Sequence, residues 1–449
     1  MDFTNGSITQ KIVKFSVPLL IGNILQQIYS ISDSIIVGNL LGSDPLAAIG
    51  ATMPIIQVSI ALVIGITSGA SVVISQLYGA NRINEIKKAV TTSFAFFMVL
   101  SLLLSVIGYI ITDQLLLWMN VPEEVLPMAA AYLKVIFVGT VFKVGYNLMN
   151  SLFRGIGNSQ IPLLVLVIST ILNVVLDFVF IQFFHLGVEG TAWATIISQL
   201  VSFAISFILF QKNNISFKIS LKKENYDKAL LHSILTIGLP TGLKATLYWG
   251  GYAIITSTVN SFGAATVAAF GIASRIDCFV QTPQGSLNSG LASFTGQNIG
   301  AGKLDRIRSA LKASNFIGIS LALATTAAIY LFSSQILSLF TDDEEIIAIG
   351  AEYLKTVSLF YVVYSLQEVV QGVAVGSGYT LILMISTIAA MWLVRIPIAE
   401  ILSKHIGARG VWISIPSGWF VAMLFTNGFY LSGKWKKPKT RQTRNEIKI

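Results

Sequence analysis

Between Lys88 and Asp113 the chain runs for 24 residues without a charged side chain. It does so again over the 22 residues 155–176 and over the 22 residues 190–211. Stretches of this length match the roughly 20 residues an α-helix needs to cross a bilayer. A soluble domain cannot carry several such runs and still cover its surface with polar groups. Only 11% of the 449 residues are charged, against about 25% in ordinary soluble domains.

Reading for apolar stretches between charged or Gly/Pro-rich breaks predicts twelve spans. In the first half they are 12–38, 46–76, 87–112, 130–152, 161–184 and 189–211. In the second half they are 233–260, 267–296, 307–334, 351–374, 380–403 and 409–432. The first stretch is too long for a signal-peptide core and no small-residue cleavage pattern follows it.

The net charge of +9 has a simple distribution. Arg82, Lys87, Lys88, Arg154, a lysine-rich segment at 212–232, Lys303, Arg306 and Arg308 lie at alternate junctions. The opposite junctions hold Asp44, Glu123, Glu124, Glu189 and the run Asp342 to Glu345. The positive-inside bias then places both termini in the cytoplasm of a multi-pass plasma-membrane protein. Lys404 and Arg409 depart from the rule. No basic domain exists to bind nucleic acid. The single cysteine, Cys278, permits no internal disulfide, and His185, His232 and His405 are too scattered for a metal site. No G-x-x-x-x-G-K-[ST], H-E-x-x-H or G-x-S-x-G motif occurs, so neither direct ATP use nor enzyme activity is expected.

The chain repeats itself. LGSDPLAAIGA from Leu41 returns as FGAATVAAFGIA from Phe262, QLYGANRINEIKKA from Gln76 as QNIGAGKLDRIRSA from Gln297, and EEVLPMAAAYLK from Glu123 as EEIIAIGAEYLK from Glu344. One offset of 221 residues relates them. The unit is therefore six helices, duplicated in parallel, since an even number returns the chain to its starting side. The expected fold is an all-α membrane protein of two parallel six-helix bundles related by pseudo-two-fold symmetry. The expected divisions are an N-terminal lobe at 1–211, a basic cytoplasmic linker at 212–232, a C-terminal lobe at 233–432 and a basic cytoplasmic tail at 433–449. The tail reads as disordered or lying on headgroups. Repeats of this kind bind substrate between the halves.

Charged side chains inside spans are costly and mark function by default. The first half holds Asp33, Lys143 and Asp177. The second holds Lys244, Arg275, Asp277, Glu368 and Arg395. Counting from span ends at about 1.5 Å per residue puts Asp33, Asp177 and Thr195 in one layer. Asn173 is one turn from Asp177 on the same helix face. Two carboxylates, an amide and a hydroxyl suit a small hard cation such as sodium, or a shared proton. In the second half, Glu368 is expected to pair with Lys244 or Arg395, and Asp277 with Arg275 or a neighbouring helix. Tyr29, Tyr146, Asn147, Met149, Gln281, Gln284 and Glu368 are candidates to line a substrate cavity. Pro18 can kink the first span.

QQIYSISDSIIVG, QLYGANR, RGIGN, LNVVLDFVFI, FGIASRIDCFVQ and GQNIGAGK, in this order and over residues 8–432, resemble the bacterial multidrug and toxic compound extrusion (MATE) transporters. The resemblance implies a secondary antiporter without cofactor. It would export organic, often cationic, compounds in exchange for inward sodium ions or protons. It also implies that Asp33, Asn173, Asp177 and Thr195 bind the coupling ion. Lys244 departs from the branch that carries an acid on its seventh span, which argues against a second cation site. Small organic substrates and membrane lipids are the expected partners, for a monomer. A flippase for a lipid-linked precursor, from a related family, is the alternative.

Overall fold

A computed structural model describes the backbone of residues 1–213, 215–220 and 222–437, with side chains except at 30–35, 43, 215 and 223. The described residues are helical, with no strand. Among the described residues eight helices are long and apolar enough to cross a membrane, and two bent pairs would make ten. Two further helices, Lys228–Asn260 and Ala264–Gly300, have 33 and 37 residues. Their length suffices, and polar side chains such as Lys244, Arg275, Asp277 and Gln281 lower their hydropathy. The fold is the all-α, twelve-helix, two-lobe membrane architecture.

The first copy comprises α1 (Ile8–Leu41), α2 (Ser43–Gly79), α3 (Ile83–Trp118), α4 (Leu126–Val138), α5 (Thr140–Gly155), α6 (Gln160–Gln182) and α7 (Gly187–Asn213). The second comprises α8 (Lys228–Asn260), α9 (Ala264–Gly300), α10 (Leu304–Leu337), α11 (Glu344–Ser358), α12 (Tyr361–Gly376), α13 (Thr380–Thr387), α14 (Ile396–Ile406) and α15 (Ala408–Leu431). The repeat is visible in the bounds. Ser43 and Ala264, Gly79 and Gly300, Thr140 and Tyr361, and Gly155 and Gly376 all stand 221 residues apart. The fourth span of each copy is bent, by 49° at Gly139 and by 54° beside Phe360, again one offset apart. At Gly139 a Cβ would sit 2.2 Å from Ile196, so the bend brings α4 and α5 against α7 where only glycine fits.

Two compact units emerge, Pro18–Leu235 and Met1–Val17 with Thr236 onward. In the first, α6 packs on α7 and α2 on α5. Its linker is tied down: the buried hydroxyls of Thr91 and Thr92 on α3 accept from the backbone N–H of Ser220 (3.2 Å) and Asp227 (3.0 Å). In the second, α9 packs on α12, and α15 on α12 and α14. A π-helical stretch, Ile388–Arg395, joins α13 to α14. Pro397 lies just beyond it. Proline lacks the N–H that would continue the i→i−4 ladder, and the preceding turn widens. Pro18, by contrast, sits inside α1, which continues through it.

The outer faces suit lipid. Ile110 on α3 and Leu331 on α10, one offset apart, are 70% and 67% exposed. Arg409, anomalous by charge rule, reaches Glu352 on α11 at 2.7 Å. The described start of the tail is packed rather than loose: Trp435 is buried and stacked on Tyr430, with ring centroids 5.4 Å apart. The rest of the tail expectation, residues 438–449, lies outside the described residues.

The N-terminus is also docked. Phe3 is fully buried against Phe15 and Phe294. Its N–H donates to Gln297 Oε1 at 2.9 Å, and its carbonyl accepts from Asn298 and Arg306 at 3.3 and 3.1 Å. Gln297 and Asn298 belong to the repeated QNIGAGK segment. Asp2 folds the segment on itself by accepting from the Thr4 backbone N–H and hydroxyl, each at 2.7 Å, and from Asn5 at 2.9 Å. Burial alone would raise its carboxyl pKa. The hydrogen bonds and the Lys11 charge outweigh burial and hold it below the usual carboxylate range.

Candidate functional site

On α6 the buried residues Pro162, Val165, Ser169, Asn173, Asp177 and Ile181 recur at helical spacing and form one stripe. Asn173 is 2% exposed and Asp177 fully buried. The stripe faces α7 in antiparallel order. The Ser169 hydroxyl donates to the Ser198 carbonyl at 3.4 Å and fixes the register. One turn up α6 from Ser169 is Asn173, and three residues back from Ser198 is Thr195, so these two stand at one level. An amide oxygen, a carboxylate and a hydroxyl are thus gathered on two adjacent helices. All three supply hard oxygen donors, and the set fits a small cation or a proton. Asp33 lies in α1, but its side chain is outside the described residues.

Tyr132 was not expected here. It is buried on α4, in a cluster with Val37, Val188 and Ala192. Val37 is one turn beyond Asp33 on α1, and Ala192 is three residues before Thr195 on α7. A signal was present in the sequence, because Tyr132 and Tyr353 occupy the same place in the two copies of the repeat.

A cavity of about 480 Å³ lies within the same unit, walled by aliphatic residues of α2 to α5, with Lys143 and Asn147 among the few polar groups. The Asn147 amide donates to the Lys143 carbonyl at 2.8 Å. Neither Tyr29 nor Tyr146 nor Met149 lines it. Tyr146 and Met149 are buried in helix packing instead, since Met149 is rotated by about 200° from Asn147 on α5.

In the C-terminal unit a second cavity, of about 320 Å³, collects Lys244, Gln281, Glu368, Gln371 and Arg395. Gln284 is buried and does not line it. The expected ion pairs do not form among the described residues. Lys244 donates to the Gln371 side-chain oxygen, and the Gln371 amide donates to Glu368 at 3.2 Å. The other Glu368 oxygen accepts from Asn288 at 2.9 Å. An amide therefore stands between the two charges. Asp277 accepts from the hydroxyls of Tyr361 and Tyr353 and from Gln281, the last two at 3.1 and 3.2 Å. Arg275 is on the exposed side of α9. Two residues apart on a helix means about 200° around it, so Arg275 and Asp277 cannot meet.

Both the helical repeat and the polar clusters inside its spans define a two-lobed membrane transporter. The sequence profile described as MatE matches residues 18–179 and 240–401. The chain belongs to this family, the MATE multidrug efflux transporters. It is 31% identical over 440 residues to the probable multidrug resistance protein YoeA of Bacillus subtilis, covering 96% of this chain and 95% of that one. It is 29% identical over 439 residues to the probable multidrug resistance protein YpnP of the same organism, with 98% of each covered. Among solved structures, a MATE crystal structure in the bent conformation superposes with a TM-score of 0.91 at 28% identity, covering 97% of this chain and 98% of that one.

Proposed function

We propose that the chain is a secondary active antiporter of the plasma membrane, with both termini in the cytoplasm. It exports organic, often cationic, drug-like compounds in exchange for inward sodium ions or protons. The observation that carries this reading is the burial of Asn173 and Asp177 on one face of α6, level with Thr195 on α7. A buried carboxylate in a membrane is costly unless a proton or cation neutralises it. Binding of the ion therefore changes the energy of any state that opens this site to water. A ligand shifts a conformational equilibrium by its differential affinity for the two states. Asp33, Asn173, Asp177 and Thr195 bind the ion in this reading, and the repeats 1–211 and 233–432, joined by 212–232, carry the alternating exposure.

The test is ethidium efflux from proteoliposomes, driven first by a sodium gradient and then by a pH gradient. The expected result is gradient-dependent efflux that Asp33→Asn and Asp177→Asn each abolish while the protein still inserts. Undiminished efflux by both variants would overturn the ion site. Gradient-independent movement of a lipid-linked precursor instead of ethidium would favour the flippase.

A further inference from the structure

Arg395 is the residue least accounted for by the reading above. It is the sixteenth residue of the 27-residue span Thr380–Ile406, so it sits near the middle of that span. From there it cannot snorkel to either interface. It is 5% exposed, and its Nε is buried with no hydrogen-bond partner. Neither Asp277 nor Glu368 comes within 4.0 Å of it among the described residues. Their oxygens are engaged elsewhere, on tyrosine hydroxyls and side-chain amides. A buried guanidinium without an acceptor is expensive to keep.

The cavity beside it has the chemistry to supply one. Lys244 and Arg395 outnumber Glu368 among the charges of its wall, so the lining carries one net positive charge. Lys244 has three N–H donors, and Gln371 takes one of them. The remaining walls include Tyr248, Trp249, Tyr364 and Trp419, which offer flat apolar surface to an aromatic body. Arginine presents its N–H groups in a planar fork that matches a carboxylate bidentately. The π-helical stretch that ends at Arg395 is a feature that recurs at functional sites.

We propose that this cavity binds an aromatic organic anion, its carboxylate on Arg395 with Lys244 as second donor and its ring among the four aromatic side chains. The site adds an organic-anion class to the exported compounds, and only that use rests on the export reading. Binding itself needs neither ion coupling nor transport.

The experiment therefore uses the purified full chain in nanodiscs of zwitterionic lipid, with no gradient. Binding of 1-naphthoate is followed through tryptophan fluorescence, with 1-naphthalenemethanol as the neutral probe of the same shape. Naphthoate should bind at least tenfold more tightly than the alcohol. Arg395→Gln should erase that preference while leaving alcohol binding unchanged, and Lys244→Gln should reduce it in part. If Arg395→Gln loses the alcohol as well, Lys244→Gln decides alone. Equal binding of the two probes to the wild type, or a preference that survives both substitutions, would overturn the assignment. Competitive displacement of naphthoate by phosphatidylglycerol in the disc would make the occupant a lipid headgroup and overturn it too.

Discussion

The Tyr353 hydroxyl donates to Asp277 across 3.1 Å, and this bond ties α11 to α9 inside the C-terminal unit. Tyr361 donates to the other oxygen, which makes Asp277 the junction of three helical segments. Tyr353→Phe removes one donor from a buried carboxylate and leaves the shape intact. Hydrogen bonds between membrane helices contribute about 0.6 kcal/mol on average, with a maximum near 1.7. A charge-assisted bond to a buried acceptor belongs at the upper end. Thermal unfolding in detergent should show a loss of about 1–2 kcal/mol, larger for the Tyr353→Phe, Tyr361→Phe double variant. A melting temperature unchanged by the double variant would mean the network does not hold the helices together.

The same helix contact is built twice. A Cβ at Gly155 would lie 2.9 Å from the carbonyl oxygen of Ser71, and one at Gly376 would lie 2.3 Å from that of Ala292. Both glycines and both carbonyls are related by the 221-residue offset. Each glycine lets the second half of a bent span approach its neighbour, α5 on α2 and α12 on α9, to backbone contact. Glycine at such an interface substitutes for the hydrophobic drive that lipid removes. Gly376→Ala should therefore cost more stability than Gly155→Ala, by about 1–3 kcal/mol of overpacking at the tighter site. Folded yield and melting of the two single variants check the order. Equal tolerance would show that the helices separate freely.

Thr195 offers a milder probe of the proposed ion site than the carboxylates do. Thr195→Val keeps the shape and removes one oxygen donor beside Asn173. If the site holds an ion, the gradient needed for half-maximal ethidium efflux should rise about tenfold, with the melting temperature held within a degree or so. A stability loss with unaltered coupling would place Thr195 in packing alone.

Much of the scaffold is legible in the sequence because each membrane helix satisfies its own backbone and must be apolar over a fixed length. The repeat adds register, and the helix starts at Ser43 and Ala264 follow it to the residue. Pairing Asn173 with Asp177 on one face needed only the helical period. Other features depend on contacts that have no period. Gln371 between Lys244 and Glu368, and the tyrosines on Asp277, join residues from 76 to 127 positions apart. Charge counting sees partners by sign and proposes ion pairs, whereas the fold supplied amides and hydroxyls. The π-helical stretch before Pro397 was legible in principle, but a proline near a span midpoint is common and its outcome depends on what packs beside it.

Among the described residues the N-terminal segment shows the longest reach, since Phe3 and Arg306 are 303 residues apart. Its docking combines a buried phenyl ring with backbone hydrogen bonds to α9 and α10, so it should behave as one unit. Phe3→Ala removes the ring from a site it fills completely, at a cost of about 3 kcal/mol by analogy with core truncations. Amides 3 and 4, which donate to Gln297 and Asp2, should then lose hydrogen-exchange protection, together with the end of α9. Asp2 sets the acid side of the pH dependence. Its carboxyl titrates below the usual range when docked, so its contribution is fully present above the ordinary carboxylate pKa. That contribution disappears as pH falls through the docked value. Burial holds the Met1 α-amine below its usual value, so docking strengthens as pH rises toward the ordinary amine range, and Asp2→Asn should weaken protection, corrected for intrinsic exchange, at every pH between 5 and 8. Because Asp2 is largely exposed, the loss should be small beside that of Phe3→Ala. Protection that Asp2→Asn leaves untouched would show that the carboxylate does not hold the turn on which the docking depends.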